Sequence, residues 1–575
     1  MLVRIWLYVG FLASFLGSRT LLFGAPSPAK LRYSVTPALH GNRLVLHVTV
    51  TLDRLDPPIE LVLPSTWGGA QSLARAVANI QADSPDARIV DLADPSKKTL
   101  QANTRRRVSF SYDLVKDWDG PLREAVRHRP HLEPTYVAIN TNNALIHPKL
   151  DLSTPVECIF DWKLPPGWTI ATSFGAGAPR QSFRGPWSKV EQAMFVAGDF
   201  RMQKSKLGKG VLVTATRGNF GVPDTEIRSR ILETIRLERD FWKDDRFPYY
   251  LVAVLPFDQG QGSTGGDGFT NAFSLHLSPQ GGLSQGVLSL LAHEVFHEWN
   301  PYRIGQMREP AEGIYWFTEG FTTYYQDLLL CRAKQISFEQ YLESLNHVLR
   351  DYSLSPERNL SLNELIERAQ KEQLKGRVSY WRGAVIALWL DTKIRERTKA
   401  HASLDTLMFG LYQQAQHHPG PLPDLTADRV FQAASRYLPS QDVDQLRSYV
   451  EQGSTVEAPS TAWGPCVQRE SVEVPSFELG MERAALLEHH TVTGLQANSE
   501  AQRAGLREGD RVVGMSIYWD DVSKPVKLTV RRDGDTSTII YSPRGHTVGV
   551  TPQYVLDQAC YHADPHGCQA SSNLH

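Results

Sequence analysis

The chain has 575 residues, 41% of them hydrophobic and 21% charged, with a formal net charge of −1. This is a globular composition, too long for a single hydrophobic core, and its charge balance argues against a nucleic-acid partner. Five cysteines, an odd number, exclude a disulfide-rich scaffold and leave at least one thiol unpaired.

Residues 1–24 carry Arg4, then an apolar run from Ile5 to Gly17 that Arg19 closes. The run is short for a bilayer span, so it reads as a secretory signal peptide. A retained N-terminal membrane anchor is the alternative, because Leu21 to Ala25 form a second apolar patch and no clear small-residue cleavage site stands out. Both readings place the protein outside the cytoplasm, in a periplasm or the extracellular space.

Residues 25–203 alternate apolar and polar positions, as in Arg43-Leu44-Val45-Leu46-His47-Val48-Thr49-Val50, between breaks at Pro, Gly and Asp. They read as a β-rich N-terminal domain that holds no catalytic cluster and forms one wall of a cleft. Residues 204–452 form the second domain, with a helical pattern over 225–242, an apolar strand from Tyr249 to Leu255, and helices from Ser284 to about Gln452. The expected fold class is multidomain α+β.

Gly260-Gln261-Gly262-Ser263-Thr264-Gly265 formally matches a dinucleotide fingerprint after that apolar strand. A pyrophosphate site needs the last glycine to open a helix, whereas Phe269 to Leu277 alternates like a strand. Ser263 also lacks the first glycine of a nucleophile elbow, which disfavours a serine hydrolase.

His293-Glu294-Val295-Phe296-His297 lies in the apolar run Val287 to Trp299. On a helix the two imidazoles stand one turn apart on one face and can share a zinc ion, with Glu294 aimed at the open coordination position. A third ligand is required, and Glu319 is the best candidate. It lies 22 residues beyond His297, in the aromatic-rich helical segment Trp316 to Tyr325. Two histidines and one carboxylate leave a position for water, which Glu294 would deprotonate for attack on a peptide carbonyl.

The run His293 to Ile304, followed by Trp316-Phe317-Thr318-Glu319-Gly320-Phe321-Thr322-Thr323-Tyr324-Tyr325, resembles the glycyl aminopeptidase family of thermolysin-like zinc peptidases. The likeness extends to Ser379-Tyr380-Trp381-Arg382-Gly383-Ala384, with Arg382 where lysine is usual, and implies that Tyr380 stabilises the oxyanion. It implies one Zn²⁺ per chain, a thermolysin-like, mainly helical catalytic domain, and hydrolysis of N-terminal residues from a peptide or protein substrate.

In that family a Gly-Gly-Leu-Glu-His segment ahead of the zinc helix lies along the substrate, and its glutamate holds the free amino group. Here Gly265-Gly266-Asp267-Gly268-Phe269 stands instead, with Gly268 at the glutamate's position. Gly265, Gly266 and Asp267 are the candidate substrate contacts, and Asp267 is the nearest replacement acid. Without an amine-binding acid, the alternatives are a metalloendopeptidase or a non-catalytic peptide-binding protein.

Residues 453–475, rich in Ser, Thr, Pro and Glu, read as a linker. Residues 476–548 resemble a PDZ domain through Phe477-Glu478-Leu479-Gly480-Met481 and Ala504-Gly505-Leu506-Arg507-Glu508-Gly509-Asp510. A C-terminal peptide would then bind as an added strand at the loop Leu479 to Met481, unless the domain is a structural cap. Residues 549–575 read as a tail, in which Cys560 and Cys568 form a local disulfide or none rather than a zinc knot.

Overall fold

The computed structural model describes residues 28–564 except 54, 104–106, 247, 259–263, 280–281, 373–376, 518–521 and 523. The signal or anchor segment 1–24, Gly260 to Ser263 and Cys568 lie outside the described residues. No helix among the described residues is long and apolar enough to cross a membrane.

The N-terminal alternation is the pattern of a sheet with one buried face. In strand Arg43–Asp53, Leu44, Leu46, Val48, Val50 and Leu52 all point into the core. This strand pairs antiparallel with Ala29–His40 inside a six-stranded sheet. A second sheet, of five strands including Tyr136–Asn140 and Met194–Gly198, does different work. Its Ala138, Met194 and Val196 pack against Val213, Leu251, Ala253 and Phe269 of the next domain. The two domains therefore share a core, which fixes the N-terminal domain over the catalytic sheet.

That catalytic sheet runs in the order Arg201–Leu207, Gly210–Thr216, Tyr249–Pro256, Ala272–Leu277, Thr264–Phe269. The domain boundary thus falls just before Arg201, and the expected break between 203 and 204 cuts through its first strand. Helix Asp224–Trp242 makes the crossover between the parallel strands 210–216 and 249–256. The single strand expected over 269–277 is instead a hairpin, turned at Asn271 with φ 50°. Its outer strand, Thr264–Phe269, is the sheet edge.

Two close-packed helices organise the rest. Helix Tyr315–Arg332 crosses helix Val378–Thr398 at Gly320 and Gly383. A Cβ on Gly320 would lie 2.3 Å from the Gly383 Cα, and one on Gly383 would lie 2.0 Å from the Trp316 carbonyl oxygen. Only glycine at both positions permits this approach.

Residues 453–475 are not a linker. Val456, Ala458, Ala462 and Trp463 are buried in the main core, and strand Val467–Phe477 pairs with Arg544–Leu556. Asn346, on helix Phe338–Leu354, clamps this ribbon with two hydrogen bonds to the Tyr554 backbone, at 2.8 and 2.9 Å. Part of the expected tail is therefore ribbon, and Cys560 bonds Cys466 rather than forming a local bridge. Cys158 and Cys331 are free thiols.

The unit between the ribbon strands has its own small core, including Leu479, Met481, Leu486, Val512 and Leu528. After the loop Leu479 to Met481 the chain forms helix Arg483–His489, not the strand whose open edge would continue the binding of a peptide.

Gly383→Ala is expected to lower unfolding stability by at least about 1–3 kcal/mol, because the added methyl has no room to relax against backbone. Urea denaturation of the two proteins measures it.

Candidate metal centre and active site

The motif helix, Gln285–Phe296, forms because Val287, Leu291, Ala292, Val295 and Phe296 face the main core. His297 follows directly in helical conformation, so its ring stays beside that of His293, with centroids 4.8 Å apart. Glu319 comes from the crossing helix, one residue before the close approach at Gly320. Its Oε2 lies 3.4 Å from His293 Nε2 and 3.3 Å from His297 Nε2. The three donor atoms lie within 4.8 Å of one another, and among the described residues this is the one such cluster of three or more possible metal ligands.

Outer partners decide which imidazole nitrogen is offered. His293 Nδ1 lies 2.8 Å from Gln326 Oε1, and His297 Nδ1 lies 2.8 Å from the Asn300 carbonyl oxygen. Both are acceptors, so each Nδ1 carries the proton and each Nε2 lone pair is free to bind a metal. Two neutral imidazoles and a carboxylate fit a single zinc ion with one side open. Before a metal binds, the imidazoles act as cations: burial would raise the Glu319 carboxyl, but His297 and His293 hold it well below the usual range. Burial likewise opposes the charge on His297, but Glu319 lifts it to about 9, so a metal would displace a proton there.

Gln326 and Asn300 were not assigned a role from sequence. Gln326 lies seven residues after Glu319, two helical turns along the same face, a spacing that could have flagged it. The Asn300 amide nitrogen donates to the carbonyls of Phe317 and Thr318 and to Thr322 Oγ1, which ties the turn after the motif helix to the helix carrying Glu319.

Asp244 secures the same turn from below. It accepts from Trp299 Nε1 at 3.1 Å, Arg303 at 2.8 Å, Arg246 at 2.8 Å and the Tyr412 hydroxyl at 2.6 Å. Burial opposes its ionisation, but these donors prevail and hold the carboxyl far below the usual range.

Glu294 is enclosed beside the two histidines. Burial raises its carboxyl above the usual range, an effect the imidazoles partly offset, so it is a stronger proton acceptor than an exposed glutamate. The Tyr380 ring stacks on His293, with centroids 6.0 Å apart, and its hydroxyl meets Glu319. Burial, then Glu319, push the phenol far up, so Tyr380 remains a proton donor. Arg382 turns away from this site. One of its terminal nitrogens donates to the carbonyls of Glu357, Arg358 and Leu360, which makes it a clamp on the loop beneath.

The edge strand borders the opening. A Cβ on Gly268 would lie 3.4 Å from Glu294 Oε2, so this position faces the reaction centre. Asp267, one residue earlier, faces the opposite way by strand alternation. It pairs with Arg127 Nη1 at 2.6 Å and His128 Nε2 at 3.0 Å. Although burial opposes it, these partners bring its carboxyl down to about 2. Asp267 is thus neutralised in the domain interface and does not replace the missing amine-binding acid. Gly265 shares its face, against Arg127, and a Cβ on Gly266 would strike Phe273. Those glycines can therefore serve a substrate through their backbone alone.

A family model described as M61 glycyl aminopeptidase matches residues 286–383, the stretch that holds His293, Glu294, His297, Glu319 and Tyr380. Among solved structures, an aminopeptidase N family protein from Idiomarina loihiensis aligns with a TM-score of 0.65 and 18% identity, over 92% of this chain and 98% of its own. That likeness establishes the fold. An M1 zinc metallopeptidase from Deinococcus radiodurans aligns with a TM-score of 0.47 and 17% identity, over 75% of this chain and 95% of its own. No curated protein matches the chain. By the peptidase match, the chain is a protease.

Gln326→Ala is expected to weaken zinc binding about 10–100-fold with the fold intact, as competition with a chromogenic chelator will read. Asp244→Asn is expected to cost about 1–3 kcal/mol near neutral pH, since it removes the buried charged acceptor shared by Trp299, Arg303, Arg246 and Tyr412. Because the folded carboxyl is depressed, its stabilisation is complete above about pH 4 and is lost as pH falls through the folded value. The gap between wild type and Asp244→Asn in urea titrations should therefore narrow in acid.

Proposed function

We propose that the chain is a zinc-dependent aminopeptidase that removes N-terminal residues from peptides, with His293, His297 and Glu319 as the metal ligands. The observation that carries this reading is the convergence of both Nε2 atoms on Glu319 while both Nδ1 atoms are held by acceptors. When bound there, zinc supplies the Lewis acidity that makes water nucleophilic near neutral pH and polarises a peptide carbonyl.

The residues of the chain would do the rest. Thr264–Phe269 is the edge of its sheet, along which a peptide can lie as an added strand, although Arg127 already occupies the Gly266 carbonyl. Glu294 takes a proton from the attacking water and delivers it to the departing amine. Tyr380 donates its phenolic proton in a hydrogen bond to the developing oxyanion. Arg127 and His128 hold Asp267, and through it the strand, against the N-terminal domain.

A second reading, endopeptidase action, draws on one observation: Gly268 puts no carboxylate on the face toward Glu294. The PDZ-like unit is proposed as a cap. Helix Arg483–His489 and the bond from Cys466 to Cys560 support that role, and the disulfide also agrees with an exported protein in an oxidising compartment.

Free and Nα-acetylated peptides, assayed with and without chelator, test the reading. Chelation should abolish hydrolysis and added zinc restore it. Glu294→Gln should lose at least about 10²–10⁴-fold in kcat with zinc retained, and Tyr380→Phe about 10²–10³-fold. Undiminished turnover in Glu294→Gln would sink the mechanism, and equal cleavage of acetylated peptides would replace aminopeptidase with endopeptidase.

A further inference from the structure

An aminopeptidase must receive the substrate's α-ammonium, and neither Gly268 nor Asp267 can do so here. Besides the proposed base Glu294, one further carboxylate of this segment makes no hydrogen bond or ion pair among the described residues. Glu298 lies four residues after Glu294, one turn further along the same helical face, and is partly accessible. Its backbone N–H bonds the Val295 carbonyl, so the chain still turns helically at this point. No hydrogen bond or ion pair engages its carboxylate among the described residues.

Gly268, near the end of the edge strand Thr264–Phe269, faces Glu294, one turn before Glu298. There the Thr270 N–H donates to the Gln192 carbonyl at 2.7 Å, which brings N-terminal-domain backbone across the strand's end. Lys189, from the short helix Trp187–Glu191 of the same segment, lies in electrostatic reach of Glu298, as do Arg303 and Arg239, though none of them forms an ion pair with it. A peptide extended along the edge would meet this closure beside Glu298. Tyr302 completes the surroundings. The residue is 56% exposed, and after burial the charges of Glu298, Glu294 and Glu319 raise its phenol, so the side chain lies in electrostatic reach of all three carboxylates.

We propose that Glu298 binds the substrate's α-ammonium, with the Tyr302 ring beside it, and so supplies from the end of the motif helix the charge that Gly268 omits from the strand. A partly buried carboxylate with no hydrogen bond or ion pair among the described residues is costly, and an ammonium would give it one. The aromatic face adds attraction for a cation. This inference rests on the aminopeptidase reading and names the group that confers it.

The test is titration calorimetry of phenylalaninamide and N-acetylphenylalaninamide against the zinc-loaded wild type, Glu298→Gln and Glu298→Asp. Steady-state kinetics on Ala-Ala-Phe accompany it. Glu298→Gln should weaken phenylalaninamide about tenfold or more and leave the acetylated ligand unchanged. KM for Ala-Ala-Phe should rise in step while kcat stays within about threefold, and Glu298→Asp should recover part of the loss. Unchanged amine affinity in Glu298→Gln, or an equal loss for both ligands, overturns the proposal. The calorimetric contrast needs no turnover, so it judges Glu298 separately from Glu294→Gln, whose undiminished activity would instead remove the peptidase mechanism.

Discussion

The close approach of Gly320 to Gly383 is the constraint on which the site depends. Glu319 immediately precedes one glycine, and Tyr380 stands three residues before the other. When the two backbones touch, the proposed metal ligand and the proposed proton donor, from segments about sixty residues apart, arrive at the same imidazole pair. Side chains at the crossing would strike the facing backbone and hold the helices apart. The geometry of the site is therefore set by what is missing from two positions rather than by any attraction between its charged groups.

Around that crossing, polar groups do work that apolar packing cannot. Gln326 and the Asn300 carbonyl orient the two imidazoles, Asn300 then binds the neighbouring helix, and Asp244 gathers Trp299, Arg303 and Tyr412 beneath the same turn. Hydrogen bonds are directional, so they specify which way a ring faces, whereas the main core specifies only that the helix is buried. The cleft takes its other wall from the N-terminal domain, whose Arg127 and His128 hold Asp267 and whose Gln192 meets the end of the edge strand.

Much of the catalytic chemistry was legible before any fold was known. A helix puts His293 and His297 on one face whatever surrounds it, and the aromatic run around Glu319 announces a second buried helix. The β-rich start was equally readable, because Leu44, Leu46, Val48, Val50 and Leu52 obey the period of a strand. Readings failed where composition stood in for packing. Residues 453–475 look like linker because they are rich in Ser, Thr and Pro, yet Val456 and Trp463 fill the main core. For Cys560 the sequence suggests a local disulfide or none, whereas the ribbon brings it to Cys466 across 94 residues.

The local sequence by itself determined the donor set, since ligand spacing of one helical turn is a property of the backbone and needs no partner. Only the tertiary structure decided which acid is free to meet a substrate. Asp267 and Glu298 are both carboxylates near the site, and nothing in their immediate sequence distinguishes them. Strand alternation turns Asp267 into the domain interface, where Arg127 and His128, distant in the chain, satisfy its charge. Glu298 keeps an open carboxylate because no such partner comes within bonding distance among the described residues. Charge pairing depends on which segments meet, and that is a matter of long-range packing.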